Sequence, residues 1–318
     1  MLMRRAWRVL ILCAALFVPQ ASVLAWHETG HMVAAQITYL RLSPAAKAEV
    51  DRLLVAPADK RPLIHLCAGY YRRETCEQIY DPVTIAVWMD DFRGDSLTDS
   101  YDNWHYINYR PIFDGIPARP NVGPLPVNVL DRINWCINTL RTGTGNDKRD
   151  AEVLGFLYHL VGDVHQPLHA ATRYSAKNPD GDAGGNFFSM QPPAGSRHKN
   201  LHAFWDNGAG LFGYDDLKRP LDTAGRSRIR QLAEDLMKKY PPAGDDWKQT
   251  DPQAWVVESN QIARTFAYVK TKEGEAPSAQ YIEEARSIAG RRVALAGYRL
   301  AAVLDEILVR PPAPPRPR

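Results

Sequence analysis

The chain has no apolar run long enough to cross a bilayer. The longest candidate, Val9 to Val18, falls short of the roughly 20 residues that a spanning helix needs. Arg4, Arg5 and Arg8 lie before or at its start, and Val23-Leu24-Ala25 follows it. Residues 1–25 therefore read as a secretory signal peptide cut after Ala25. The mature protein is expected to be secreted or periplasmic, with no membrane anchor. It also lacks net charge. The leader carries three of the 39 basic residues and no acid, so 36 basic residues face 36 acidic ones. A broad basic face for nucleic acid is not expected, and any attraction for phosphate must be local. Cysteine is sparse. Of four cysteines, Cys13 leaves with the leader and Cys136 lies in a helical pattern as a small apolar residue. Cys67 and Cys76 sit close together and are the expected disulfide in an oxidising compartment.

Strand patterns and internal repeats are also missing, whereas helical signals recur. Ser43-Pro44 opens a helix through Val55, and Asp81-Pro82 opens another to Phe92, ending near Gly94. Val127, Leu130, Ile133, Ile137 and Leu140 recur at helical spacing across 126–141. Further helices are expected over about 148–165, 221–240, 251–271 and 277–308. Two irregular stretches, 93–125 and 171–200, are long enough to be functional loops. The expected fold is all-α: a single compact multi-helix domain over 26–309. Residues 310–318, only proline, alanine and arginine, read as an unfolded tail.

No histidine follows His202. All nine fall between His27 and that position, so the C-terminal helices read as scaffold. Within the window, His159 and Asp163 are four apart, and so are His202 and Asp206. On a helix such residues share a face with Cβ atoms about 6 Å apart. Zinc takes nitrogen and carboxylate ligands at about 2.0–2.2 Å, so either pair can hold one ion. A buried His–Asp hydrogen bond explains one pair equally well; two pairs point to metal. Pro167 ends the helix after Asp163, so His169 can leave the helical face and reach a second ion. His165 points elsewhere and reads as structural. Asp90 and His105 carry little weight alone.

His27-Glu28-Thr29-Gly30-His31 matches the H-E-x-x-H signature of zinc peptidases. In that reading both histidines bind zinc and the glutamate activates water. The motif would begin one residue after the cleavage site, however, and it leaves the later His–Asp pairs unexplained.

Several elements in order resemble the zinc-dependent single-strand nucleases of the S1/P1 family. They are Trp26 with His31 five residues on, Trp88-x-Asp90-x-x-Arg93, Trp104-His105-Tyr106, His159 with Gly162-Asp163, Gln166-Pro167-Leu168-His169, and Asn200-Leu201-His202-x-x-Trp205-Asp206. The related phospholipase C branch places its first histidine further from the tryptophan and ends on Glu; the short Trp26–His31 gap and Asp206 favour the nucleases. The resemblance implies three Zn²⁺. One is assigned to Asp90, His105, His159 and Asp163, and a second to His169, His202 and Asp206. The third is assigned to His31, to Asp163 as a bridge, and to the free amine and carbonyl of Trp26. Asp90, Asp163 and Arg93 would be catalytic, with Arg93 steadying phosphate charge. Tyr106, Asn108 and Asn186 would contact substrate, Tyr106 by stacking a base and Asn186 within the Gly184-Gly185-Asn186 turn. Fungal members carry an acid where this chain has Asn108. The implied activity is hydrolysis of single-stranded DNA and RNA to 5′-phosphorylated products, with 3′-nucleotidase activity, by a monomer whose partners are nucleic acid and nucleotides.

Overall fold

The computed structural model describes residues 26–54, 81–92, 99–213, 217, 219 and 221–309. The leader, Cys67, Cys76, Arg93 and the tail lie outside them. Among the described residues the α-helices are, in chain order, α1 Glu28–Arg41, α2 Pro44–Leu54, α3 Val129–Thr142, α4 Asp147–His165, α5 Leu201–Asp206, α6 Thr223–Lys239, α7 Pro252–Ile262 and α8 Ala279–Leu308. Thr84–Phe92 and Asp99–His105 are runs of 3₁₀ helix. Among the described residues the one sheet is a short parallel pair, Ile112–Asp114 with Arg173–Ser175. It joins the two long irregular stretches. No described helix is long and apolar enough to cross a membrane. The fold is all-α, as the pattern of caps and periodicities implies.

The central element is α4. Asn146 caps it by accepting hydrogen bonds from the Lys148 and Arg149 N–H groups, which satisfies donors that a helix start otherwise leaves open. From Asp150 to His165 every residue is buried. A helix enclosed on all sides must be surrounded by other elements, and here α3, α8 and the Thr84–Phe92 run pack on it. The α1 helix packs chiefly along α8. Its inward residues include Gly30, His31, Met32, Val33, Ala34 and Ala35 in succession, so it shows no amphipathic stripe, and periodicity does not reveal it.

The expected 251–271 helix divides. Regular α7 stops at Ile262, and a wider π turn covers Ala263–Ala267. Such turns insert an extra residue. Beyond it, Tyr268 donates its hydroxyl to Asp182 Oδ1 at 3.1 Å, holding the 171–200 stretch against the C-terminal helices.

A partly buried ionic network fastens the end of α4 to that scaffold. Arg299 grips Glu258 with two nitrogens at 2.6 and 2.8 Å, and Arg292 adds a third bond at 2.6 Å. Both arginines are almost fully buried. Arg292 also donates to the His165 carbonyl at 3.1 Å, and Ser259 Oγ donates to the Val164 carbonyl at 2.5 Å. His165 Nδ1 pairs with the Val161 carbonyl at 2.8 Å, and Nε2 lies 3.1 Å from Arg299 Nη1. Burial, with Arg292 and Arg299 beside it, holds the His165 pKa well below its ordinary value. The ring is therefore neutral, donating from Nδ1 and accepting at Nε2. It is a structural histidine.

Glu258→Gln is expected to destabilise the fold at neutral pH by on the order of 2 kcal/mol, because two buried guanidinium groups lose their counter-charge. Burial opposes ionisation of Glu258, but Arg299 and Arg292 outweigh it and lower its pKa from 4.5. A depressed carboxylate pKa stabilises above the unfolded value and loses that contribution as pH falls through the folded one. Thermal unfolding should thus show the wild-type advantage at pH 7 shrinking below about 4.5; a constant advantage down to pH 3 would contradict the assignment.

Candidate metal centre

Among the described residues, three groups of side chains, all buried except the half-buried Asp90, meet around the second half of α4. They are His31 with His159 and Asp163, Asp90 with His105 and His159, and His169 with His202 and Asp206; within each, the potential ligand atoms lie within 4.8 Å of one another. These residues come from α1, both 3₁₀ runs, α4, the Pro167–Ala170 turn and α5. The structure thus brings together eight of the nine expected ligand side chains or residues in space, all but Trp26 belonging to a group. Trp26 is fully buried edge-on to Phe212, at 5.9 Å between ring centroids. The N–H of the next residue, His27, donates to the Asp206 carbonyl at 2.8 Å.

Asp163 is the hub. Its Oδ1 lies 3.4 Å from His31 Nε2 and 3.8 Å from His169 Nδ1. Its Oδ2 faces the other way, 3.0 Å from His105 Nδ1 and 3.1 Å from His159 Nε2. Asp90 Oδ1 approaches the same two histidines at 3.8 and 3.6 Å. His202 Nε2 lies 3.4 Å from Asp206 Oδ2. His159 belongs to two of the groups, one with His31 and Asp163 and the other with Asp90 and His105.

Backbone carbonyls fix the imidazoles. His159 Nδ1 faces the Ala86 carbonyl at 2.7 Å, His169 Nδ1 the His105 carbonyl at 2.8 Å, and His202 Nδ1 the Gly184 carbonyl at 2.7 Å. A carbonyl only accepts, so each Nδ1 carries the proton and each Nε2 presents a lone pair. This is the arrangement that orients a metal-ligating histidine. Gln166 Nε2 similarly donates to Asp206 Oδ1 at 2.7 Å. Among the described residues, both nitrogens of His31 and Asp163 Oδ1 are buried without a hydrogen bond. Orphaned atoms of this kind are costly, and a cation shared between them removes the cost. Nitrogen and carboxylate donors grouped in threes fit zinc.

Electrostatics agree. Burial alone would raise the Asp163 pKa, but His159, His105 and His31 hold it well below the usual carboxylate range. Burial, then His159, lowers the His31 pKa. At His159 burial is outweighed by Asp163 and Asp90, and the pKa rises.

The spacing Gly162-Asp163 has a steric cause. A Cβ at position 162 would lie 2.5 Å from His31 Nδ1, so only glycine lets α1 bring His31 beside Asp163. Gly184, at φ +64°, plays a comparable part, since a Cβ there would lie 2.7 Å from the Leu168 carbonyl.

Beside His202 a cavity of about 300 Å³ is lined by Tyr106, Asn108, Thr172, Tyr174, Phe187 and Gly184 among others. Two of the three expected substrate contacts, Tyr106 and Asn108, are therefore in its wall. Asn186 is placed differently: its Nδ2 donates to the Ala183 carbonyl at 2.9 Å, and the neighbouring Phe187, 45% exposed, lines the cavity instead. Sequence reading missed Phe187, Thr172 and Tyr174; an aromatic directly after the Gly-Gly-Asn turn is the one available signal. The H-E-x-x-H motif does not form a peptidase site. Glu28 is held by Arg219 at 3.0 Å, which also binds Asp91 at 2.8 Å, and His27 is in none of the three groups.

The S1/P1 nuclease profile matches residues 26–309. The chain is 23% identical to Endonuclease 2 of Arabidopsis thaliana, covering 94% of this chain and 96% of that protein. It is 27% identical to Endonuclease 1 of the same plant, over 94% of this chain and 90% of the relative. Nuclease S1 of Aspergillus oryzae shares 24% identity over 71% of this chain and 79% of its own. The profile match spans all three ligand groups, and the chain belongs to the S1/P1 nuclease family.

Proposed function

We propose that residues 26–309 form a secreted or periplasmic trinuclear zinc phosphodiesterase, released by removal of residues 1–25. It would hydrolyse single-stranded DNA and RNA to 5′-phosphorylated products, act on 3′-nucleotides, and work as a monomer. The observation that carries this reading is Asp163, whose two oxygens face two separate histidine groups. Asp90, His105, His159 and Asp163 would hold one ion, and His169, His202 and Asp206 a second. His31, Asp163 and the amine and carbonyl of Trp26 would hold the third. Zinc, when bound, supplies Lewis acidity that polarises phosphoryl oxygens and lowers the pKa of water.

The chain supplies position. Carbonyls from Ala86, His105 and Gly184 keep the ligand lone pairs aimed. Three aspartates offset only half the charge of three divalent ions, so the centre attracts phosphate in a protein without net charge. Tyr106 and the cavity beside His202 would take a base. A base leaves a single strand at lower cost than a duplex. Arg93 would steady phosphate charge, and Cys67 with Cys76 would close a disulfide.

Elemental analysis of the mature protein should give about three zinc ions per chain. Asp163→Ala should lower both zinc content and activity most, by more than about 100-fold in activity. Gly162→Ala, which forces His31 aside, should remove one ion and leave the group around His169. One ion per chain, indifferent to Asp163→Ala, would refute the trinuclear reading.

A free α-amine has a pKa of about 7.7–8.0 and can give up its proton to zinc, whereas an amide nitrogen cannot serve this way. A chain retaining Ala25 should therefore bind one zinc fewer and lose most single-strand cleavage, with its circular dichroism unchanged. Equal zinc content and equal cleavage for the two chains would show that the terminus is not a ligand.

Few phosphates should be neutralised outside the centre. Each contributes roughly −0.7 to the log–log salt slope of single-strand binding, so the slope should be shallow, with single strands cut in preference to duplex. A steep slope, or equal cutting of duplex, would count against a local phosphate site.

A further inference from the structure

Glu28, the glutamate of the H-E-x-x-H run, belongs to none of the three ligand groups, and Asp91 stands beside Asp90 without belonging to one. A single side chain joins them. Arg219 directs Nε and Nη2 at the two oxygens of Glu28, both at 3.0 Å. It directs Nη1 and Nη2 at the two oxygens of Asp91, both at 2.8 Å. A guanidinium carries five N–H donors in one rigid plane, and four bonds are made here as two forks. The side chains of Arg219 and Asp91 are largely buried, at 20% and 10% exposure.

The forks end on segments that serve different ions. Asp91 follows Asp90 in the Thr84–Phe92 run, and Glu28 opens α1 two residues after Trp26 and three before His31. Chain ends fray unless they are tied down. Here three successive residues are tied. The Trp26 ring packs on Phe212, the His27 N–H reaches the Asp206 carbonyl, and the Glu28 carboxylate takes the Arg219 fork. The third tether also links this end of the chain to the segment that carries Asp90. Glu28 and Asp91 share Nη2 of Arg219, so without the guanidinium the two carboxylates would repel and push the start of α1 from the 3₁₀ run.

We propose that Arg219 is a positioning residue that clamps the start of α1 to the Thr84–Phe92 run, and so sets the Trp26 amine for the ion it shares with His31 and Asp163. The inference rests on the trinuclear reading of this centre. That ion depends most on the clamp, because its only other ligands are His31 and the shared Asp163. The forks end on the segments of Trp26 and Asp90, not on those of His169, His202 and Asp206. Groups that orient ligands typically change metal affinity by about 10- to 100-fold. Glu28→Gln keeps the shape of its side chain but turns an amide N–H toward a guanidinium donor, which breaks one fork. Glu28 is 41% exposed, so the fold tolerates the change. Arg219→Lys keeps the charge but cannot fork onto two carboxylates.

The experiment withdraws zinc from the loaded protein with a competing chelator and reads the affinity of each ion from the amount retained. It uses chains beginning at Trp26 and at Ala25, each with and without Glu28→Gln, and Arg219→Lys in the chain beginning at Trp26. In that chain Glu28→Gln and Arg219→Lys should each weaken one ion by about 10-fold or more and leave the other two unchanged. In the chain beginning at Ala25 the amine is an amide and that ion is already missing, so Glu28→Gln should weaken nothing further. A residue that only supported the fold would act alike in both chains. Should Arg219→Lys fail to fold, Glu28→Gln decides the matter. Three ions at wild-type affinity in Glu28→Gln, three ions weakened together, or an equal loss in both chains overturns the clamp and leaves the trinuclear reading standing. A wild-type chain beginning at Trp26 that holds fewer than three ions defeats the trinuclear reading, and the clamp with it.

Discussion

A buried carboxylate between two sets of imidazoles is the constraint on which the structure turns. Asp163 has no access to solvent, and its oxygens point to His31 on one side and to His105 and His159 on the other. Burying an ionised group is expensive unless partners surround it. The surrounding fold can be understood as supplying them. The α1 helix brings His31, the 3₁₀ runs bring Asp90 and His105, and α4 brings His159 one turn before Asp163. Gly162 removes the side chain that would keep α1 away.

Holding such a centre in place takes a second layer that is not itself chemical. The proton positions on His159, His169 and His202 are set by carbonyls of three separate segments. The far end of α4 is pinned by Ser259 and Arg292 on its last carbonyls and by Glu258 between two buried arginines. This gives the histidine-free C-terminal helices their purpose. They carry no ligand, yet they fix the helix that carries the hub.

Much of this was legible in the sequence, for identifiable reasons. The pairs His159/Asp163 and His202/Asp206 announce themselves because four-residue spacing on a helix is a strong geometric statement. Ser43 before Pro44 marks a helix start by local chemistry, its hydroxyl accepting the Ala46 N–H at 3.3 Å. The α1 helix escaped because its run of buried residues at 30–35 erases the amphipathic stripe. The π turn after Ile262 escaped because the helical spacing over 251–271 does not mark it; beyond it Tyr268 reaches Asp182 across the fold. Asn186 and Phe187 show the limit most clearly. Both sit in the same turn, and only the folded loop decides which side chain enters the cavity and which folds back on Ala183. The pairing of Thr172 with Asn108, 64 residues apart in sequence, is equally a product of folding.

In the proposed centre one carboxylate bridges two ions within a cluster of three. Anomalous X-ray scattering at the zinc absorption edge, from crystals of the chain beginning at Trp26, tests it most directly. Three anomalous peaks are expected, two of them at bonding distance from opposite oxygens of Asp163 and the third between His169, His202 and Asp206. A single peak, or peaks that leave either oxygen of Asp163 without a metal, would contradict it.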